Sequence, residues 1–310
     1  MNVSSIKEIC IVIALPTLRQ LQFFSALVKR QSFSKAAGDC FVSQSTLSSG
    51  IKELENILGA QLIDRSTKSF ALTAAGHLAV GKGMEILVLA EDLARNTKDK
   101  KPLVGKFRLG VIPTIAPFLL PSAVPQISKN FPELSLFLQE GLTEVLLVDL
   151  RQGKLDGALL ALPYDLSGLE VVDICDDPFV LATSRRHTLS KCDEINVDSL
   201  EALDLLLLDD GHCLRDHALD VCSIPRGNNT SEFGATSLYT LAPMVAAGLG
   251  VTLLPKMSVK SGFAETFNLA TAALQGLPSG RKIGIAFRSG AGVEKDVQLL
   301  ADLFKEVASS

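Results

Sequence analysis

With 310 residues, 47% of them hydrophobic, the chain is long enough for two or three domains with real cores, which excludes a disordered or fibrous protein. Six cysteines are too few for a secreted disulfide scaffold, and no apolar run reaches the roughly 18 residues of a membrane span. Residues 1–106 carry 14 basic and 9 acidic residues and the remainder carries 16 and 25, so the N-terminal part is expected to meet an anionic partner unless the asymmetry is chance.

The first 16 residues are expected to precede the folded part of the chain. The apolar run 9–15 follows Lys7 and has only the minimum length of a signal-peptide core, and residues 16–19 offer no small-residue cleavage site. We therefore predict that residues 1–16 are an N-terminal extension and that the protein is cytoplasmic.

Residues 17–75 contain short helical patterns that are separated by brief turns. A helix with a broad apolar face comes first, and residues 34–40 predict a second helix. Ser43 is a good N-cap for a third helix, which Gly59 ends. With a small two-stranded wing over residues 61–72, the pattern predicts a winged helix-turn-helix DNA-binding domain.

The third helix has the position of a recognition helix, whose first turns meet base edges in the major groove. Its early residues are small or amide side chains, which can hydrogen-bond bases without filling the groove. A polar helix solvated on the surface of a bundle is the alternative. Candidate base contacts are Gln44, Ser45, Thr46, Ser48 and Ser49, and candidate phosphate contacts are Arg19, Arg30, Lys35, Lys52, Arg65 and Lys68.

Residues 76–101 predict a long linker helix that ends in a hinge. The apolar positions between Leu78 and Ala94 occupy more than one stripe of the helix, so it should be buried against a partner, for which a second copy of the chain is suited. Gly81 and Gly83 each cost about 1 kcal/mol inside a helix, which calls for the same tertiary support.

Strands and helices alternate through residues 102–310. The order strand, helix, strand, helix, strand over residues 107–162 is typical of a parallel sheet flanked by helices, and similar patterns return between residues 205 and 307. We predict an α/β effector domain of two lobes over residues 102–310.

Six short segments of the first part of the chain are specific in combination: Ser34-x-Ala36-Ala37, Val42-Ser43-Gln44-Ser45-Thr46-Leu47-Ser48, Ile51-Lys52-x-Leu54-Glu55, Leu58-Gly59, Leu62-Ile63-x-Arg65 and Leu72-Thr73-x-Ala75-Gly76. Together they resemble the LysR-type regulator family. The resemblance implies an α+β multidomain protein with a winged helix-turn-helix, a long linker helix and a two-lobed α/β effector domain of periplasmic-binding-protein type. Two residues depart from the family pattern. Ser45 stands where a proline is common, and Gly50 stands where one branch of the family has a longer polar residue. The glycine should loosen the recognition helix by about 1 kcal/mol and remove one possible DNA contact.

Cys213 has the most informative surroundings in the sequence. It follows an apolar strand pattern, a turn glycine and a histidine, and it opens a helical pattern that carries Arg215 and His217. A helix N-terminus and basic neighbours favour the thiolate, the form that peroxide oxidises to sulfenic acid.

Cys222 lies nine residues beyond Cys213. If the segment between them were helical, the two residues would be about 13 Å apart on opposite faces of the helix. A disulfide tolerates only about 7 Å between Cα atoms, so a bridge would require local unwinding and could thereby signal. A pair of ordinary buried cysteines is the alternative.

Further segments resemble the peroxide-sensing branch of the same family: Gly211-His212-Cys213-Leu214-Arg215-Asp216 with Cys222, Gly110-x-Ile112-Pro113-Thr114, Gly153-Lys154-Leu155-Asp156, Ala235-Thr236-Ser237-Leu238, Met244-Val245-Ala246-Ala247-Gly248 and Thr252-Leu253-Leu254-Pro255. This resemblance implies that Cys213 is the peroxidatic cysteine and Cys222 the resolving one. It also implies a peroxide pocket whose hydroxyls and guanidinium suit a bound peroxide. The implied pocket residues are Thr114, Thr143, His212, Asp216 and Arg288.

The function expected from these features is transcription regulation, by activation or repression, and not enzymatic turnover. No metal is expected, because Cys213 and Cys222 are not at zinc-ligand spacing and the four histidines are scattered. No cofactor is expected either, since the sequence has neither a P-loop nor a GxGxxG motif. The expected partners are double-stranded promoter DNA, hydrogen peroxide, RNA polymerase and further copies of the chain in a homodimer or homotetramer, without a membrane. Two alternatives stay open: a regulator that binds a small organic effector in the cleft between its lobes, and a thiol peroxidase.

Overall fold

The computed structural model describes residues 14–64, 70–96, 101–209, 211, 213–221, 235–276 and 280–309. The chain divides into two compact units, Met1–Arg95 and Asn96–Ser310. Four predicted site residues, Arg65, Lys68, His212 and Cys222, lie outside the described residues, as does most of the predicted N-terminal extension. Among the described residues, no helix is long and apolar enough to cross a bilayer.

Three helices form the core of the first unit: α1 (Leu18–Arg30), α2 (Phe33–Asp39) and α3 (Gln44–Leu58). Their facing sides bury one continuous set of apolar side chains, as a helix-turn-helix requires. The buried members are Leu21, Phe23, Phe24, Leu27, Ala36, Ala37, Leu47, Ile51, Leu54, Leu62 and Ile63.

Hydroxyl side chains determine where these helices begin. Thr17, Ser32 and Ser43 each accept a hydrogen bond from the amide three residues on, which satisfies one of the unpaired donors of a helix start. Gly59 follows α3 with a left-handed φ of 65°, which glycine adopts without steric cost. The predicted cap at Ser43 and the predicted stop at Gly59 are therefore present.

A short wing follows α3. Ile63 and Leu72 form an antiparallel bridge, and the buried carboxylate of Glu55 accepts hydrogen bonds from the amides of Leu62 and Ile63 at 2.8 and 3.4 Å. Glu55 therefore holds the first strand of the wing against the recognition helix.

The long helix α4 (Ala74–Asn96) completes the first unit. Gly76 lies so close to the wing that a Cβ atom there would be 2.1 Å from the carbonyl oxygen of Leu62. Farther along α4, several large apolar side chains are exposed in the single chain. They are Leu78, Ile86, Leu89 and Leu93.

The first lobe of the second unit contains five strands and three helices: β1 (Gly105–Val111), β2 (Leu134–Glu140), β3 (Gly157–Leu162), β4 (Leu169–Asp177), β9 (Arg281–Arg288), α5 (Ala116–Asn130), α6 (Thr143–Arg151) and α11 (Glu294–Ser309). The strand order is β2-β1-β3-β9-β4. β1 pairs in parallel with β2 and β3, whereas β9 runs antiparallel between β3 and β4. One apolar core joins this sheet to the three helices.

The second lobe contains a four-stranded sheet and four helices: β5 (Phe179–Ser184), β6 (Glu194–Asn196), β7 (Thr252–Pro255), β8 (Leu269–Gln275), α7 (Cys213–Val221), α8 (Leu238–Ala246), α9 (Lys256–Lys260) and α10 (Phe263–Thr266). The strand order is β6-β8-β5-β7. The apolar strand pattern that precedes Cys213, over residues 205–208, forms only two single bridges, Leu205 with Val251 and Leu208 with Ala235. All four of its leucines are buried, so the apolar run indicated burial rather than a sheet ladder.

The chain passes between the lobes at Pro178 and again between β8 and β9. Gly280 packs so closely on Pro178 that a Cβ atom would lie 2.2 Å from the Pro178 Cα. The two crossovers are therefore adjacent, and the residues that flank them, Asp177 and Arg281, are partners in the sheet.

Candidate functional site

Cys213 opens α7 with its side chain buried, 6% exposed. It shares a small cavity with Thr114, Thr143 and the turn residue Gly211. The cavity offers about 10 Å³ to the centre of a water-sized molecule, which is near the minimum that one such molecule needs. The structure thus brings Cys213 together with two of the residues predicted for a peroxide pocket, Thr114 and Thr143. Apolar walls of the cavity are formed by Ile112, Pro113 and Leu142.

The topology explains why the two threonines meet. Thr114 follows β1 and Thr143 follows β2, and the carboxyl ends of parallel strands lie at the same edge of a sheet. Cys213 comes to this edge from the second lobe, at the N-terminus of α7. The cavity therefore lies between the lobes of the effector unit.

The hydroxyl group of Thr143 is buried next to the thiol. Burial raises the pKa of Cys213, and the hydrogen bond between this hydroxyl and the sulfur offsets part of that rise. Within the described part of the chain, Thr143 Oγ1 has no hydrogen bond to nitrogen or oxygen. A buried hydroxyl without such a partner is costly, so it is suited to a polar ligand in the cavity.

The electrostatics of Cys213 differ from the sequence prediction. Burial raises the pKa of the thiol, against the smaller lowering effects of Thr143 and Arg281, while Asp216 raises it further. Arg215 was expected to favour the thiolate, but its Nη1 donates to the carbonyl oxygen of Leu208 at 3.4 Å. The thiolate was expected to be favoured, and that expectation was wrong because burial is the largest effect on this thiol.

Arg281 is the cation of the site, and the sequence did not reveal it. Its side chain is fully buried, and Nη1 donates to Thr114 Oγ1 at 2.8 Å while Nη2 donates to the Thr114 carbonyl oxygen at 3.0 Å. The guanidinium also donates twice to Asp177. A fixed positive charge of this kind can stabilise an oxygen that becomes negative.

The recognition helix presents the polar face that was predicted to read bases. Its N-cap Ser43 is hydrogen-bonded through its hydroxyl to Ser45 and Thr46, at 2.8 and 2.7 Å, which orders the first turn. Arg30 forms a bidentate salt bridge with Asp39, and this carboxylate would compete with a DNA phosphate for the guanidinium. The predicted contact residues Arg19, Arg30, Lys35, Gln44, Ser45, Thr46, Ser48, Ser49 and Lys52 are all exposed.

Gly50 was expected to remove one possible DNA contact, and the structure adds a packing reason for the glycine. A Cβ atom at this position would lie 2.7 Å from Cδ2 of Phe23 on α1. The position therefore faces the helix packing inside the domain, where a larger residue would displace the Phe23 ring.

Comparison with known proteins identifies both units. Residues 100–309 match the model of the LysR substrate binding domain, and residues 18–77 match that of the bacterial regulatory helix-turn-helix protein, lysR family. The chain belongs to the LysR family.

Similar LysR-family proteins span nearly the whole chain. The HTH-type transcriptional regulator EstR of Acinetobacter baylyi is 37% identical over 303 residues, covering 96% of this chain and 99% of EstR. The DNA-binding transcriptional dual regulator OxyR of Escherichia coli K12 is 34% identical over 289 residues, covering 93% of this chain and 94% of OxyR.

Solved structures of OxyR proteins are also similar. A full-length OxyR variant from Pseudomonas aeruginosa has a TM-score of 0.76 at 31% identity and covers 93% of this chain and 94% of its own. An OxyR variant of Corynebacterium glutamicum with hydrogen peroxide bound has a TM-score of 0.63 at 34% identity and covers 95% of both chains.

The resemblance to the peroxide-sensing branch pointed to Arg288 as the arginine of the pocket, and the structure places Arg288 elsewhere. Its Nη1 donates to the carbonyl oxygens of Leu150 and Leu155, at 2.7 and 2.9 Å. Since β9 runs antiparallel to β3, its first residue, Arg281, lies beside the carboxyl ends of the parallel strands, and its last residue lies at the opposite edge.

Of the remaining predicted site residues, one is exposed and two lie outside the described residues. Asp216 is exposed on the first turn of α7 and acts on Cys213 through its charge. His212 and Cys222 lie outside the described residues, so the structure gives no distance between the two cysteines.

Three other cysteines of this LysR-family chain are half-buried free thiols, Cys40, Cys175 and Cys192. Burial raises the pKa of Cys40 and raises that of Cys175 to about 11, which disfavours the reactive thiolate. In the described part of the chain, no three His, Cys, Asp or Glu residues are grouped to hold a metal ion.

Proposed function

We propose that this LysR-family chain is a peroxide-responsive, DNA-binding transcription regulator in which Cys213 is the sensing thiol. The observation that carries the proposal is the shared cavity of Cys213, Thr114 and Thr143, with the Arg281 guanidinium hydrogen-bonded to its wall. Relatives named as hydrogen peroxide-inducible genes activators, such as the probable activator of Mycobacterium avium at 40% identity over 299 residues, support it.

In the proposed reaction, the Cys213 sulfur attacks one oxygen of hydrogen peroxide. The O–O bond breaks, the sulfur becomes a sulfenic acid, and the leaving hydroxide takes the thiol proton to become water. The hydroxyls of Thr114 and Thr143 would hold the peroxide, and Arg281 would stabilise the departing oxygen. In our proposal, the peroxide gives the Thr143 hydroxyl the oxygen partner that it lacks among the described residues.

The second step forms a disulfide with Cys222. The Cys222 sulfur attacks the sulfenic sulfur and a second water leaves, so that one peroxide is reduced to two waters and two thiols are oxidised to a disulfide. Because α7 extends from Cys213 to Val221, the helix must unwind before the sulfurs can meet. This remodelling of α7 would change promoter binding.

The DNA-binding part of the proposal follows the predicted domains. Residues 17–75 bind promoter DNA through the exposed contacts of α3 and their basic neighbours, with Arg65 and Lys68 as further phosphate contacts. Residues 76–101 link the domains and join two copies of the chain, and residues 102–310 sense peroxide. Homodimers pairing into a homotetramer, contact with RNA polymerase, activation or repression of target genes and a cytoplasmic location complete the proposal.

Mass spectrometry after a brief micromolar pulse of hydrogen peroxide tests the sensing step. We expect a linkage between Cys213 and Cys222 in the wild type and none in Cys213→Ser. Unmodified Cys213 and Cys222 after the pulse would contradict the proposal. Continuous consumption of peroxide with a thiol reductant would instead indicate a thiol peroxidase, whereas a sensor needs one oxidation per signal.

A second candidate function is regulation by a small organic effector. A groove of about 830 Å³ lies beside the crossovers and is lined by Phe118, Tyr239, Lys256 and Lys260, among other residues. This volume is in the range of small-molecule sites. Thermal-shift measurements with a panel of metabolites would support this candidate if one compound stabilised the chain and Cys213→Ser left its regulation intact.

A further inference from the structure

Arg281 and Asp177 form an ion pair that is removed from solvent. Their side chains are 0% and 2% exposed, and Nε and Nη2 of Arg281 both donate to Oδ2 of Asp177, at 3.0 and 2.8 Å. Two charges are costly to bury unless hydrogen bonds satisfy them, so such a pair indicates a requirement beyond simple packing.

The pair lies where the two lobes are joined. Asp177 ends β4 before the first crossover, and Arg281 begins β9 after the second. The other oxygen of the carboxylate, Oδ1, accepts a hydrogen bond at 2.8 Å from the amide of Met257, in the first turn of α9. The adjacent amide of Lys256 donates to the carbonyl oxygen of Pro178 at 2.8 Å. Asp177 therefore bonds β9 of the first lobe through one oxygen and α9 of the second lobe through the other.

On its other side, the pair reaches the cavity of Cys213. Arg281 donates to both oxygens of Thr114, and Thr114 lines the cavity. A guanidinium is a rigid planar fork, so fixing one edge fixes the direction of the remaining N–H groups. Asp177 holds Nε and Nη2, and Nη1 is thereby aimed at the Thr114 hydroxyl.

We propose that Asp177 is a positioning residue for the peroxide site, acting through Arg281, and that it links this site to α9 across the lobe boundary. This inference rests on the proposed function of Cys213 and extends it to a residue that does not line the cavity. Loss of the Asp177 contact lets the guanidinium turn, which misaligns the Thr114 hydroxyl and slows oxidation. Movement at Thr114 reaches the second lobe along the same bonds.

The test is the rate of Cys213 sulfenic acid formation in the full chain, measured by rapid quenching and mass spectrometry across a range of pH. The pH profile separates the rate per thiolate from the fraction of thiolate. Asp177→Asn removes the charge, whereas Asp177→Glu keeps the charge and displaces the carboxylate by one methylene. We expect the rate per thiolate to fall at least about tenfold in both variants, because small misplacements have effects of this size.

Asp176→Asn is the matched control, since it removes the same charge from the exposed neighbouring residue. We expect it to retain the wild-type rate. A normal rate in Asp177→Glu would show that only the charge matters. Reduced resistance to urea with a normal rate per thiolate in both variants would show a purely structural role, and either result would overturn the inference.

The outcome for the wild type separates this inference from the proposed function. If peroxide does not oxidise wild-type Cys213, the proposed function is contradicted. A normal oxidation rate in every variant contradicts only the role of Asp177. If neither variant folds, hydrogen exchange of the Met257 amide in the wild type decides. We expect oxidation of Cys213 to accelerate that exchange, and an unchanged rate would reject the link to α9.

Discussion

The side chains of Arg281 and Thr114 are hydrogen-bonded, with Nη1 2.8 Å from Oγ1, at the wall of the cavity that contains Cys213. The bond joins the start of β9 to the loop after β1, which are 167 residues apart in the sequence. The bond keeps a permanent cation near the buried thiol. Burial raises the pKa of Cys213, and the charge of Arg281 offsets part of that rise.

Arg281→Lys should slow the oxidation of Cys213 by peroxide. Lysine keeps the charge but lacks the planar fork that bonds Thr114 and Asp177 together, so we expect a loss of at least about tenfold in the second-order rate constant. Arg288→Lys is the control: it disturbs buried bonds to Leu150 and Leu155, so we expect it to lower the free energy of unfolding and leave the rate intact. Slower oxidation in Arg288→Lys with a normal rate in Arg281→Lys would indicate that Arg288 is the arginine of the site.

Thr143→Val should separate reactivity from stability. The substitution replaces a buried hydroxyl that has no nitrogen or oxygen partner among the described residues, so we expect the free energy of unfolding to stay constant or rise by up to about 1 kcal/mol. Loss of the hydroxyl next to the sulfur should raise the pKa of Cys213 further and slow its oxidation. Urea unfolding and the oxidation rate measure the two effects.

Thr252→Val provides the contrast. Its buried hydroxyl donates to the carbonyl oxygen of Leu206 at 2.7 Å, so we expect a loss of about 1–2 kcal/mol in stability with an unchanged oxidation rate. If Thr143→Val were the more destabilising of the two, Thr143 would have a structural rather than a ligand-binding role.

Alkaline pH should destabilise the chain through Cys175. Burial raises the pKa of its thiol from 9.0 to about 11 in the folded chain, so the unfolded chain loses this proton first. The stabilising effect of the bound proton is complete below pH 9 and is lost as the pH rises towards about 11. We expect urea unfolding to show a steeper decline of stability across this window in the wild type than in Cys175→Ala. Equal slopes would contradict the burial of this thiol.

Two glycines of α4 should respond to alanine in opposite directions. A Cβ atom at Gly76 would meet the Leu62 carbonyl oxygen at 2.1 Å, which requires the wing to move, so we expect Gly76→Ala to destabilise the chain by about 1–3 kcal/mol. At Gly81 a Cβ atom has nothing within 4 Å, so Gly81→Ala should stabilise the helix by up to about 1 kcal/mol. Thermal unfolding compares the two. Destabilisation by Gly81→Ala would show that a partner packs closely at that position.

Local signals were sufficient to predict much of the fold. The caps and stop signals around α3 act within a few residues, and the order of strands and helices predicted over residues 107–162 agrees with the structure. The prediction failed where the structure depends on distant partners. Residues 205–208 have a strand-like apolar run but only single bridging partners.

The site shows the same limit. Thr114, Thr143 and Cys213 each stand beside a local motif, so their sequence surroundings could indicate them. The choice between Arg281 and Arg288 depends on which end of β9 lies at the carboxyl edge of β1, and that follows from an antiparallel pairing with no local signal. The pKa of Cys213 likewise depends on how deeply the assembled lobes bury it.

A footprint on one promoter fragment that the protein binds tests the central claim most directly, with reduced wild type, peroxide-treated wild type and peroxide-treated Cys213→Ser side by side. We expect the peroxide-treated wild type to protect a different set of bases from the reduced protein, and Cys213→Ser to keep the reduced pattern after peroxide. Identical footprints for reduced and oxidised wild type, or a peroxide-dependent change that persists in Cys213→Ser, would contradict a sensor built on this thiol.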